Sequence, residues 1–192
     1  MKVSINFTSS PTYPEKAPFD PPAAYPEYTG KSIDPKNNVY EGVREVLFRL
    51  GLDAKNFNTK DWNPFGEIVK PGMTVFIKPN TVVHNHEKKK DIFAVIIHAS
   101  ILRPILDYVC KALNDRGKII IGDSQLIFSD HKKALDVSKI KELVKWYSQQ
   151  TPINIECIDL RVFKGVRTWL YGKWGRVPLN EYKRGYKFVN LG

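Results

Sequence analysis

TVFIKPN at 74–80, IHASILRPILDYVCKAL at 97–113 and DRGKIIIGDS at 115–124 form the stretch from which the fold can be read. The first and last pieces are short apolar runs that stop abruptly in polar residues, Lys78-Pro79-Asn80 after one and Gly122-Asp123-Ser124 after the other. Between them Ile105, Leu106, Val109, Cys110 and Leu113 recur at three- and four-residue spacing, the apolar stripe of a helix. The helix is expected to begin between Ser100 and Arg103; a cap at Ser100 would set Pro104 at the fourth helical position and remove one early backbone bond. The uninterrupted isoleucines from Lys118 to Ile121 suit a parallel strand buried on both faces.

Working outward toward the N-terminus, Pro71-Gly72 turns the chain into the strand Thr74 to Lys78. Trp62 and Phe65 are expected to anchor the long Asn- and Asp-rich connection before it. Val39, Val43, Val46, Leu47 and Leu50 predict a helix capped by Asn37 or Asn38 and stopped by Gly51. From Pro11 to Pro35 the chain holds seven of its 13 prolines, mixed with Tyr13, Tyr25 and Tyr28. That composition predicts an extended surface arm, either a passive wrap held by its tyrosines or a lid. Val3 to Phe7 alternates in the manner of a half-buried strand.

Toward the C-terminus, Gln125 to Val137 reads as a polar link. Ile140, Leu143, Val144 and Tyr147 mark a third helix that ends before Pro152, and Ile153 to Ile158 reads as the next strand. Strands alternating with helices predict an α/β fold over residues 1–160: a mostly parallel, Rossmann-like three-layer sheet with right-handed crossovers and helices on both faces. Glycines at 165, 172, 175 and 185 between aromatic runs predict a C-terminal antiparallel β appendage over 161–192.

A chain of 192 residues with 42% hydrophobic content can bury the core of one domain. Its longest apolar stretch, Ile92 to Ile97, is far short of the roughly 20 residues that span a bilayer. No membrane partner is expected, and an N-terminus without a basic and apolar leader places the protein in the cytoplasm. The formal charge of +10 favours anionic partners. From Arg161 onward eight cations face the single acid Glu181, a net of +7 interleaved with Trp169, Tyr171, Trp174, Tyr182 and Tyr186. That segment reads first as a solvated β-ribbon and second as a nucleic-acid or protein surface. Cys110 and Cys157, 47 positions apart, read as buried small hydrophobes. They cannot supply a Cys-ligated iron–sulfur cluster, and the residues name no other cofactor. His84 and His86 offer two imidazoles to a metal but sit in a lysine-rich loop, where solvation is the simpler reading.

In open α/β sheets, ligands bind beyond the carboxyl ends of the strands, where helix N-termini also point. That rule selects Lys78 and Asn80 after one strand, Asp123 and Ser124 after another, and His98, Ser100 and Arg103 at the helix start. Two cations, an imidazole and a helix N-terminus around one crevice suit phosphate or carboxylate. Asp123, His98 and Lys78 are the candidates for chemistry, with Asn80, Ser100, Arg103 and Ser124 holding the ligand. Structural alternatives stand beside each: Asp123-Ser124 capping a turn, His98 as a satisfied buried ring, Lys78 as a strand-end lysine reaching solvent. No G-x-G-x-x-G, Walker-type loop or G-x-S-x-G elbow occurs.

Taken together, WNPFGEIVKPGMTVFIKPN, DIFAVIIHASILRPILDYVCKAL and GKIIIGDSQ resemble the domain-of-unknown-function family 362, DUF362. The resemblance spans nearly the whole chain, including the proline–tyrosine arm and NNVYEGVREVLFRLGL. Its signatures fall on Lys78, Pro79, Asn80, His98, Ser100, Arg103, Asp123 and Ser124. The family's activity is not established. Its iron–sulfur members carry an added cysteine-rich module that has no counterpart here, and a remote similarity links the family to the N-terminal domain of nickel-dependent lactate racemases. Members usually continue into a second α/β part. The resemblance therefore implies an N-terminal half whose site a partner half or a second copy completes, while the small anionic metabolite is the expectation drawn from the strand ends and the helix start.

Overall fold

Asn37 starts the first helix, its side-chain oxygen accepting from the amides of Val39 (3.2 Å) and Tyr40 (3.3 Å), and α1 runs Asn38–Arg49. The computed structural model describes residues 2–28, 30, 32–86, 88, 90–167 and 174–179. The strands β1 (Thr74–Ile77), β2 (Lys118–Asp123) and β3 (Asn154–Asp159) form a parallel sheet in that order. Helix α2 (Ala99–Leu113) connects the first pair; α3 (His131–Val137) and α4 (Ile140–Tyr147) connect the second. A separate antiparallel ribbon follows, β4 (Phe163–Arg167) with β5 (Trp174–Pro178). The α/β class, the parallel sheet and the antiparallel appendage match the sequence expectation. The tail cations and aromatics at 168–173 and 180–192 lie outside the described residues.

Register explains where the core sits. Val75, Ile119 and Ile155 align across the sheet, as do Ile77, Ile121 and Cys157. This face packs against Leu102, Leu106, Val109 and Leu113 of α2 and Ile140, Leu143 and Tyr147 of α4. On the other face Phe76, Ile120 and Glu156 align, Lys118 pairs with Glu156 at 2.8 Å, and Phe76 is 47% exposed. Helices were expected on both faces; among the described residues those that pack on the sheet do so on one. The reason is topological. With strands in chain order and right-handed crossovers, both connections return over the same side. Helix α1 packs on α2 through Leu47, Trp62 and Tyr108.

Several boundaries differ from the sequence reading. Helix α2 starts earlier than expected because His98 is its cap, Nδ1 accepting from the Ser100 amide at 3.2 Å. Pro104 thus lies at the sixth helical position, where its missing N–H deprives the Ser100 carbonyl of its intrahelical donor. The stretch 125–137 is not only a link: Asp130 caps α3 by accepting from Lys133 N at 3.0 Å, and Lys139, at φ 66°, turns the chain into α4. Val3 to Phe7 forms no strand, because it lies along α1 rather than a sheet edge; Val3, Ile5 and Phe7 are 74, 65 and 91% exposed. Gly117, at φ 143°, passes so close to β1 that a Cβ would stand 2.5 Å from the Met73 carbonyl.

The arm is a strap held by charge as well as by rings. Asn37 Nδ2 donates to the Phe19 and Asp20 carbonyls at 3.0 and 2.8 Å, and Phe19 is fully buried. Buried Glu27 accepts from Arg44 at 2.6 Å and from Tyr108 Oη at 3.2 Å. The asymmetry of the sheet gives a direct expectation. Ile121→Ala should cost about 3 kcal/mol in urea unfolding, whereas Phe76→Ser should stay within about 0.5 kcal/mol. Equal costs would mean that the second face is covered.

Candidate functional site

The residues selected from the sequence separate into three groups. The first is at the carboxyl ends of β1 and β2. Asp123, 3% exposed, accepts Lys78 Nζ (2.5 Å) and the Ser124 amide (2.9 Å) on Oδ1. Its Oδ2 accepts the Thr81 amide (2.7 Å) and hydroxyl (3.2 Å). Burial pushes this carboxyl up, but the Lys78 hydrogen bond and the Thr81 and Ser124 amides outweigh it and hold Asp123 below the usual carboxylate range. Asp123 is therefore a charged clamp that ties two strand ends together. Ser124 and Asn80 are exposed beside it, and Asn80 staples the following loop by donating to the Val95 carbonyl at 3.0 Å and accepting from Ile97 N at 2.8 Å.

Sequence reasoning missed two members of this group. Thr81, 1% exposed, spends its one hydroxyl proton on Asp123, so Gln125 must present its amide nitrogen to Thr81, at 3.0 Å. Gln125 Oε1 is then left buried with no partner among the described residues. Each directly follows a quoted motif, FIKPN or GDS, which is the only signal that could have singled it out. Arg161, counted with the basic tail, belongs instead to a second clamp: it is 6% exposed, donates to Asp159 at 2.6 and 2.9 Å, and reaches the Ser129 carbonyl at 2.7 Å. Asp159 is the register partner of Asp123. Of the two clamping cations, Lys78 reaches solvent, with its side chain 60% exposed against 6% for Arg161.

His98 and Ser100 form the second group, the cap of α2. Ser100 Oγ lies 2.9 Å from His98 Nδ1, and the imidazole stacks on Tyr13 at 4.8 Å with Phe19 and Phe93 edge-on at 5.1 and 4.8 Å. Burial, then the charge of Lys139, push this imidazole down to about 4. Arg103 makes the third group: it holds Asp107 (3.0 Å), Asp20 (3.3 Å), the Pro18 carbonyl (2.6 Å) and Tyr28 Oη (3.1 Å) and lies 4.2 Å over the Trp146 ring. It buckles the arm to α2, and none of these contacts is shared with Asp123. The histidines of the 81–90 loop are committed to backbone: His84 Nδ1 accepts from Asp130 N (2.9 Å) and His86 Nδ1 from Lys88 N (3.2 Å).

Compared with protein-family models, curated proteins and solved structures, the chain gives no match. The site therefore stands on its own geometry.

A neutral, buried His98 predicts the sign of a pH effect. Below its ordinary value of 6.5 the unfolded chain binds a proton that the native state refuses until about 4. The stability is complete above that window and falls as pH drops through it, by at most about 3 kcal/mol. His98→Asn keeps a capping acceptor and should flatten this part of the profile; urea midpoints of both proteins across the window check it.

Proposed function

We propose that the carboxyl edge of β1 and β2 binds a small anionic metabolite, with Lys78 as the cation that meets it. One observation supports this reading above the others. The Lys78 ammonium is fixed by Asp123 at 2.5 Å while its side chain stays 60% exposed. An ammonium has three donors, so two remain for a phosphate or carboxylate, and the anchored position reduces the rotamer entropy lost on binding. Ser124 supplies a hydroxyl beside it, Asn80 shapes the loop, and Asp123 acts by positioning the lysine. His98 and Ser100 cap α2 and Arg103 holds the arm, and none of the bonds they make reaches Lys78 or Asp123.

The strand order favours a second wall from elsewhere. Open α/β sheets form their crevice where the order reverses, and a sheet that runs in chain order has no reversal. The family resemblance supports the same reading, with a second α/β body, joined or separate, completing the site and covering the face that carries Phe76. The cytoplasmic setting expected from the sequence belongs to this proposal; the described helices include none long and apolar enough to cross a membrane.

Inorganic phosphate and succinate are the probes. A ligand at a hundred times its Kd stabilises by about 2.7 kcal/mol, and Lys78→Met should weaken the interaction about tenfold, reducing the melting shift accordingly. Lys90→Met, at an exposed loop lysine that is not among the groups bonded to Asp123, should keep the wild-type shift. Equal shifts in wild type and Lys78→Met would sink the assignment.

A further inference from the structure

A cavity of about 330 Å³ lies between the arm, the outer side of α2 and the end of α4, and shares no lining residue with the strand edge. It falls within the size range of small-ligand sites. Its wall is aromatic: Tyr28, Tyr40, Tyr108, Trp146 and Tyr147. Each phenolic hydrogen has a carboxylate to bond. Tyr40 donates to Asp107 Oδ2 at 2.9 Å, Tyr147 donates to Asp107 Oδ1, Tyr108 to Glu27 at 3.2 Å and Tyr28 to Asp20 at 3.3 Å. What the rings have left to offer an occupant is oxygen lone pairs and π faces, both of which favour positive charge.

The charge count agrees. Arg103 serves two carboxylates at once, Asp107 at 3.0 Å and Asp20 at 3.3 Å. Lys111, on the wall, donates its ammonium to the Lys60 carbonyl at 2.7 Å and to the Glu27 carbonyl at 3.5 Å, so one cation faces Glu27, Asp107 and the exposed Asp115 among the lining residues. The Asp107 side chain remains 18% accessible although hydrogen-bonded. The molecule already seats one cation in this chemistry, the Arg103 guanidinium 4.2 Å over Trp146.

We propose that this cavity binds a small organic cation, an alkylammonium or guanidinium compound, with the aromatic faces around its charge and Asp107 as its counter-ion. The site sits under the arm, so an occupant would also tie the arm to α2 and α4.

The two cysteines provide a test with an internal control, since Cys110 lines this cavity and Cys157 lines a different cleft beside Asp159 and Arg161. Iodoacetamide labelling of each is followed by mass spectrometry, with putrescine or agmatine against sodium chloride of equal ionic strength. Cys110 labelling should slow about tenfold at roughly ten times the Kd of the amine, with Cys157 unchanged and succinate without effect. Calorimetric titration of putrescine gives an independent reading: saturable binding to wild type, weakened about tenfold in Trp146→Leu and measurably in Asp115→Asn. No saturable binding to wild type, equal protection of both cysteines, or binding indifferent to Trp146 would each overturn the proposal.

Discussion

Three parallel strands in chain order, joined by crossovers that lie on one side of the sheet, are the constraint on which the rest of this molecule depends. The crossovers carry α2 and α4 to the same side, so one core forms between them and the face that carries Val75, Ile77, Ile119 and Ile121. The opposite face keeps Phe76 47% exposed. The same order leaves the carboxyl edge as a wall rather than a crevice, and the Asp123 clamp sets the shape of that wall. Four donors gather on one buried carboxylate, and the strand ends cannot separate without stranding its charge.

Buried arginines do for the irregular segments what the ladder does for the strands. Arg44, Arg103 and Arg161 are 3, 1 and 6% exposed, and each is matched to a carboxylate, Glu27, Asp107 and Asp159 respectively. Removing one partner of such a pair costs far more than a surface ion pair is worth, because a charge is left buried. On a chain of net charge +10 this arrangement consumes three arginines internally, while Lys78 meets solvent. It also builds the aromatic and acidic cavity beneath the arm, where Arg103 is both a strut and a precedent for cation binding.

Periodicity and turn chemistry were enough to read the strand–helix–strand unit, α1 with its cap narrowed to Asn37 or Asn38, and the ribbon. They were not enough for α3, seven residues long, whose only clear signal is the Asp130 cap. Nor did they show that His98 rather than Ser100 opens α2, since an imidazole is an uncommon cap. Val3 to Phe7 has the alternation of a strand but no edge to pair with, and alternation carries no information about a partner. The candidate site was half legible. Lys78, Asn80, Asp123 and Ser124 do meet at one edge, because strand ends follow from the pattern. Arg103, four residues before Asp107 on one helix, faces the arm instead, and nothing local in the sequence announces that a proline-rich segment will fold back upon it.

The most direct test of the account is heteronuclear NMR that follows lysine ammonium, arginine Nε and backbone amide signals during titration with inorganic phosphate. The account predicts shifts at the Lys78 ammonium and the Thr81 and Ser124 amides, with the Arg103 Nε and the His98 ring unmoved. Perturbation centred on Arg103 or His98, or a silent Lys78, would contradict it.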